Sequence, residues 1–573
     1  MSKLKHLQDI GEAPLWLSEE GFTTISKGYM LEQETPKAMY RRVARSVAKY
    51  GKFSDKFKHD FFTAMYDLNY LNPATPVLSN CGTDRALPIS CFTIDLDDKM
   101  QDIMGRGLGE LSMLTKNGGG VGISFQRIRP AGSLIKGGKN GKSEGIIPFV
   151  KVYDSAILAT KQGDVRRGSV SINLSIEHGD FSEFIRMRRP EGDLNRQCQN
   201  VHHCVTISDE FMHKVKNGDL EARHKWSEVM KTRIETGEPY IFFEGNVERG
   251  NPQCYKDNGL DVTATNICSE ILLHTDPQHS FVCCLSSLNL TKYDEWKDWK
   301  APNTGLSLPE LAVYFLNGVL DEFIDKAQYI PYLENSVRSA IKGRAIGVGV
   351  LGWHTLLQEK LIPFESFEAM SLNNEIFKVI DSGSLKASQS LAKERGEPEW
   401  CKGHNIYNTH RIAIAPTRSN SIISGDVSAG IEPIIANAYT DNTAKGTFIR
   451  RNRTLQALLN TYGKNTDDIW KDISNKHGSV QHLDFLSDRE KDVFKTAYEI
   501  DQKSIIQQAS QRQKYICQSQ SLNLFFPFDV KPKYFNDVHI LAWELGVKTL
   551  YYCRSTSGIK VEYKEDECKS CEG

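Results

Sequence analysis

Gly168-Ser169-Val170-Ser171-Ile172-Asn173 is a short apolar run opened by glycine, and two other runs share its character: Gly120-Val-Gly-Ile-Ser-Phe125 and Gln199-Asn-Val-His-His-Cys-Val-Thr-Ile207. Each is bordered by turn residues, and longer stretches of helical periodicity lie between them. Strands interleaved with helices indicate an α/β fold with a parallel sheet. Upstream, residues 37–70 read as helical, with Met39, Val43, Val47, Phe61, Phe62 and Met65 at apolar positions. Asn72-Pro-Ala-Thr-Pro76 breaks that pattern. Downstream, a second α/β stretch opens at Arg344-Ala-Ile-Gly-Val-Gly-Val350 and runs to about residue 440. Residues 450–515 read as helical and charged, and Ser519 to Pro527 reads as a buried strand. The final residues, from Tyr563, are charged and small, the composition of a mobile tail.

With 573 residues the chain can form several ordinary domains or one large barrel with appendages. Its 40% hydrophobic and 25% charged residues are ordinary for a globular protein, and a net charge of −1 gives no reason to expect nucleic acid or an anionic membrane as partner. The N-terminus lacks the apolar run of a signal peptide, and no stretch approaches 18 uninterrupted apolar residues. A cytoplasmic location is therefore expected. Thirteen cysteines in a chain this long are too sparse for a disulfide scaffold, which leaves buried thiols, metal ligands or redox groups.

Several motifs invite over-reading. Gly137-Gly-Lys-Asn-Gly-Lys-Ser143 lacks the glycine spacing of a phosphate-binding loop. Asn117-Gly-Gly-Gly-Val-Gly122 lacks the context of a dinucleotide fold and reads as backbone that another chain or a ligand approaches closely. His202-His203 has no third ligand at metal spacing, and Cys568-x-x-Cys571 has no second pair to complete a zinc site, so no metal is expected. The strongest local signal is Asn266-Ile-Cys268-Ser-Glu270, an amide, a thiol and a carboxylate at alternate positions. In an extended segment all three would share one face.

Together with Asn72-Pro-Ala-Thr-Pro-Val-Leu-Ser79, Ser90-Cys91-Phe92, Cys283-x-Leu-Ser-Ser-Leu-Asn-Leu290, Pro416-Thr-Arg-Ser-Asn-Ser421, Gly430-Ile-Glu-Pro433, Lys548-Thr-Leu-Tyr-Tyr552 and a terminal cysteine pair, this trio resembles the large subunit of class I ribonucleotide reductases. The resemblance runs from about residue 25 to the C-terminus. It implies a ten-stranded α/β barrel, two antiparallel halves of five parallel strands, with a finger loop inside. The implied division is an N-terminal helical region at 1–70, the barrel at 71–555 and a redox tail at 556–573.

The resemblance also implies roles. Cys268 is the thiyl radical that abstracts the ribose 3′-hydrogen, Glu270 the base on the 3′-hydroxyl and Asn266 its neighbour on the same edge of the sugar. Cys91 and Cys283 are the reducing pair, whose Cα atoms the fold must bring within about 7 Å. Adjacent residues of a strand face opposite ways, so only one of Cys283 and Cys284 can point inward. Cys568 and Cys571 recharge the pair by thiol–disulfide exchange and are themselves recharged by thioredoxin or glutaredoxin. Tyr552 and Tyr551 relay a radical from a metal-containing small subunit, and this chain binds no cofactor of its own. Thr75, Ser90, Ser419, Asn420 and Ser421 contact a ribonucleoside diphosphate, the last three preceding a helix whose amides suit a diphosphate. Arg418 has no assigned role.

Asp98, Arg129, Gln162 and Arg166 resemble readers of an allosteric deoxynucleoside triphosphate or ATP at a homodimer interface. Only 74 residues precede Thr75, which leaves no room for the family's N-terminal ATP cone; specificity control without cone-mediated dATP inhibition is expected. The alternatives are an adenosylcobalamin-dependent (class II) enzyme, which does not normally carry the tyrosine pair, a glycyl-radical relative, whose glycine motif is replaced here by cysteines, and an inactive nucleotide-binding homologue.

Overall fold

The computed structural model describes residues 2–162, 166–190, 192–443 and 446–556. Four helices, Lys3–Asp9, Glu19–Ser26, Pro36–Tyr50 and Asp55–Phe62, precede the first strand. Three of them are capped as their sequences ask: Ser2, Ser18 and Thr35 each accept a backbone amide of the first turn. Helix Pro36–Tyr50 buries Met39, Tyr40, Val43, Ala44 and Val47 along one stripe and packs on the long apolar helix Leu308–Ala327.

Five parallel strands form the first half of the barrel: β1 (Cys91–Asp95), β2 (Gly120–Ser124), β3 (Ser169–Ser175), β4 (His202–Ile207) and β5 (Tyr240–Phe243). They are buried almost throughout, which is why they read as continuous apolar runs rather than alternating ones. The second half begins with β6 (Phe281–Asn289) and its parallel neighbour β7 (Ile346–Leu351). Parallel bridges Val348 to Ile412 and Ile414 to Gln520 extend it, and β8 (Thr549–Leu550) follows. The Ser519 and Thr549 hydroxyls meet at 2.7 Å, and the Tyr551 amide donates to the Leu522 carbonyl.

The two halves join antiparallel at both seams. Cys91 stands opposite Cys283 where β1 meets β6, and Ile241 and Phe242 of β5 stand opposite Leu550 and Thr549 of β8. With the two bridged segments at 412–414 and 520 counted beside the eight strands, the sheet fits a ten-stranded α/β barrel. A short strand, Leu71–Pro73, pairs antiparallel with the far end of β6. Outside the barrel, Ala438 and the helices of residues 453–494 close a separate small core around Trp470.

Residues 261–275 run through the barrel as an irregular loop. The Asn173 side chain of β3 accepts from the Thr265 amide at 3.2 Å, while the Ser519 amide donates to the Glu270 carbonyl and the Thr549 hydroxyl to the Ser269 carbonyl. The loop is therefore pinned to both halves. Gly122 makes room for it: a Cβ there would lie 2.0 Å from the Thr265 carbonyl oxygen. The glycine-rich run does permit a close approach, and what approaches is the chain's own loop.

Candidate active site

Asn266, Cys268 and Glu270 are fully buried at the tip of the loop. They are not in an extended segment as expected. The Ser269 amide donates back to the Asn266 carbonyl and Ser269 takes a φ of 66°, so residues 267–269 make a turn. A chain that enters and leaves a barrel from one side must reverse, and a strand cannot do that. Side-chain anchors hold the tip. Ser521 donates to the Cys268 carbonyl at 2.6 Å and to the Glu270 carboxylate at 3.2 Å. The Asn266 side-chain Oδ1 accepts from the Ile271 amide at 3.1 Å, whereas its Nδ2 donates to nothing among the described residues.

The Tyr551 hydroxyl donates to the Cys268 thiol at 3.4 Å. Tyr552 lies against Tyr551 with ring centroids 4.4 Å apart. Tyr551 is buried and Tyr552 half-buried, and the Arg554 guanidinium sits 5.3 Å from the Tyr552 ring. A third tyrosine, Tyr240 at the start of β5, touches both, at 4.7 and 5.1 Å. His202 stacks on Tyr240 and, with His203, is held by Glu238, at 2.6 and 3.1 Å. The adjacent histidines are thus partners of a buried carboxylate. Sequence reading missed Tyr240, since nothing in its spacing ties it to a pair more than three hundred residues away.

Cys91 and Cys283 are cross-strand partners at a seam of the barrel. Directly opposed residues of an antiparallel pair have Cα atoms about 4.5–5.5 Å apart, within disulfide reach. The Cys284 thiol turns the other way and donates to the Leu316 carbonyl of helix Leu308–Ala327 at 3.3 Å. Gln518, also missed from sequence, connects this pair to the loop: its Nε2 donates to the Cys283 sulfur at 3.6 Å and its Oε1 accepts from the Leu272 amide. Burial, then Cys284, push the Cys283 thiol well above its ordinary pKa; Gln518 opposes this, and Cys91 and Glu270 add to it. The group is held as a protonated thiol.

Ala74, Pro76, Ser90, Cys91, Cys283 and Cys284 are among the residues that line one small cavity. Thr75 opens the adjoining helix, Thr75–Asn80. Asn420 donates to the Pro73 carbonyl at 2.7 Å, which places the segment of Ser419, Asn420 and Ser421 beside the residue that precedes Ala74. These three lie inside the short helix Arg418–Ile423 rather than before it. Thr417 takes a left-handed φ of 54° there, so the turn starts one residue earlier than its serines suggest.

Arg129 pairs with Asp98 at 2.6 Å, both partly exposed. Gln162 and Arg166 face each other as backbone partners in a two-stranded antiparallel ribbon. Cys568 and Cys571 lie outside the described residues. Among the described residues no helix is long and apolar enough to cross a membrane.

The family profile described as "Ribonucleotide reductase, barrel domain" matches residues 89–220, 217–405 and 399–553, and that described as "Ribonucleotide reductase, all-alpha domain" matches residues 15–86. The chain is 38% identical over 525 residues to a putative ribonucleoside-diphosphate reductase large subunit of Frog virus 3 (isolate Goorha), covering 87% of this chain and 90% of that protein. It is 33% identical over 637 residues to the ribonucleoside-diphosphate reductase large subunit of Invertebrate iridescent virus 3, covering 96% and 98%. Among solved structures, the Actinobacillus ureae class Id ribonucleotide reductase alpha subunit superimposes with a TM-score of 0.87 at 40% identity, covering 95% of this chain and 98% of that one.

Proposed function

Because the chain belongs to the ribonucleotide reductase large-subunit family, we propose that its buried tyrosines and cysteines divide among them the work of a class I enzyme. The reaction replaces the 2′-hydroxyl of a ribonucleoside diphosphate with hydrogen, and the radical that starts it comes from a separate small subunit. The observation that carries the assignment of roles is the Tyr551 hydroxyl 3.4 Å from the Cys268 sulfur, with Tyr552 stacked behind it.

The oxidising equivalent passes from Tyr552 to Tyr551 and then to Cys268, each step moving one electron and one proton. The Cys268 thiyl takes the 3′-hydrogen of the ribose. Glu270, anchored by Ser521, accepts the 3′-hydroxyl proton, which requires hydrogen-bond reach in the bound state. Asn266 supports this with an Nδ2 that has no partner among the described residues and can donate to the same edge of the sugar. With a radical at C3′, the 2′-hydroxyl departs as water once a proton reaches it. Cys283, buried and held protonated, suits that donation. Cys91 and Cys283 supply two electrons and two protons in all and finish as a disulfide, while Cys268 returns its hydrogen to C3′.

Cys568 and Cys571 reset that disulfide by exchange, drawing on thioredoxin or glutaredoxin. Thr75, Ser90, Ser419, Asn420 and Ser421 hold the substrate at the mouth beside the thiols. Asp98 and Arg129 bind a deoxynucleoside triphosphate or ATP effector, Asp98 through the ribose and Arg129 through phosphates, and Gln162 and Arg166 carry its identity toward the substrate in a homodimer working in the cytoplasm. Arg418 takes no part in this scheme.

Tyr551→Phe tests the relay. It removes only the hydroxyl on Cys268, so turnover with the small subunit should fall to background while nucleotide binding and the unfolding midpoint stay near wild type. Turnover within tenfold of wild type would exclude the relay.

A further inference from the structure

Between the loop that carries Cys268 and the strand that carries Cys283 lies a tight turn, Asp276 to His279, closed by reciprocal backbone hydrogen bonds at 3.0 and 3.1 Å. His274, Asp276 and His279 point their ring nitrogens and carboxylate at one another, all three ligand atoms lying within 4.8 Å. His274 Nε2 is 3.1 Å from Asp276 Oδ2, and His279 Nδ1 is 3.1 Å from both oxygens of the same carboxylate.

Two features set this cluster apart from an ordinary hydrogen-bonded turn. First, His274 Nδ1 is 2.8 Å from the Asp261 carbonyl, which can only accept, so the proton of a neutral ring belongs on Nδ1. Its Nε2 then faces a carboxylate oxygen at 3.1 Å, a contact that either a second ring proton or a cation between them satisfies. Ligating histidines characteristically donate their other nitrogen to a backbone carbonyl in this way. Second, ligand bonds of about 2.0–2.1 Å at tetrahedral angles place neighbouring donor atoms about 3.3 Å apart, near the two 3.1 Å separations to Asp276, while the third pair of ligand atoms lies within 4.8 Å. The setting is also enclosed. Trp400 packs edge-on against both imidazoles, at 5.5 and 5.4 Å, and His274 is 8% exposed. Asp276 is the most open of the three, with its side chain 28% exposed, which leaves the fourth position to water.

We propose that His274, Asp276 and His279 form a site for a divalent transition-metal ion of the zinc type, clamping the exit of the active-site loop to the start of β6. The ion is structural: Thr275, between two of the ligands, donates to the His279 carbonyl at 2.8 Å and lies 3.4 Å from the Thr93 carbonyl of β1, so the clamp fixes the loop stem beside the strand that carries Cys91. Sequence reading sought metal ligands at His202-His203 and at the tail cysteines. The His-x-Asp-x-x-His spacing becomes visible as a triad only once the turn has folded.

The test uses the full chain, stripped with a chelator and titrated with zinc against a chromophoric competitor, with metal content read by elemental analysis. One equivalent per chain should bind and raise the thermal midpoint. Asp276→Asn, which keeps an acceptor for the turn amides, should weaken binding about tenfold or more, and the double variant His274→Ala/His279→Ala should lose the equivalent. Cobalt(II) in place of zinc should give ligand-field bands without a thiolate charge-transfer band, which separates this site from any bound by cysteines. Failure of the wild-type chain to retain an equivalent, a thiolate-type cobalt spectrum, or zinc binding unchanged in folded Asp276→Asn would each overturn the proposal.

Discussion

Gly122→Ala should disable the enzyme from a position that carries no chemical group. The added Cβ would stand 2.0 Å from the Thr265 carbonyl oxygen and 2.9 Å from the Thr93 hydroxyl, whereas ordinary contact begins at 3.4 Å. Strand β2 is hydrogen-bonded on both sides, to β1 and β3, and cannot yield. The loop must therefore retreat by more than an ångström, loosening the two hydrogen bonds between Thr265 and Asn173. Overpacking of this kind costs about 1–3 kcal/mol, and each weakened hydrogen bond about 1 kcal/mol. Thr265 is one residue from Asn266 and three from Cys268, so the displacement passes to the groups proposed to react, where about 1 Å of misplacement can cost a hundredfold in rate. The assay is deoxynucleotide formation with the small subunit, with a denaturant midpoint measured on the same preparation. A variant with turnover within threefold of wild type and an unchanged midpoint would refute the fit of loop against strand.

The two adjacent cysteines should separate cleanly: Cys283→Ser abolishes turnover, while Cys284→Ser, whose thiol faces the Leu316 carbonyl outside the barrel, stays within a few-fold of wild type; the reverse pattern would contradict the inward assignment. Glu110 gives a pH signature. Burial pushes its carboxyl up to about 7 despite Arg106, against about 4.3 in an unfolded chain. The folded state then holds the proton more tightly, so its contribution to stability is full below about pH 4.3 and is lost as pH rises through 7. Glu110→Gln should accordingly gain on wild type across that window, by up to about 4 kcal/mol at pH 8; a difference in urea midpoint that does not vary between pH 4 and 8 would refute it.

The alternation of glycine-bounded apolar runs with helices was enough to read α/β, because strands covered on both faces are apolar along their length. It could not reveal the two antiparallel seams. These depend on which edge strands meet after hundreds of residues, and the pairing of Cys91 with Cys283 is such a seam. The loop tip was legible as a trio of residue types but not as a turn, since the left-handed Ser269 carries no glycine to announce it. The tyrosine pair stood out as a motif. Tyr240, Gln518 and Ser521 did not, because each earns its position only through tertiary contact with residues distant in sequence.

Passage of a radical from another subunit through Tyr551 to Cys268 is the step on which turnover depends. Its most direct test is reduction of CDP by the purified chain, with thioredoxin as reductant and dATP as effector, run with a class I small subunit, with adenosylcobalamin, and with neither. Turnover only in the first arm, abolished by Cys268→Ser and by Tyr551→Phe, is the predicted result. Turnover with adenosylcobalamin alone would mean that the tyrosines merely pack, and would contradict the account.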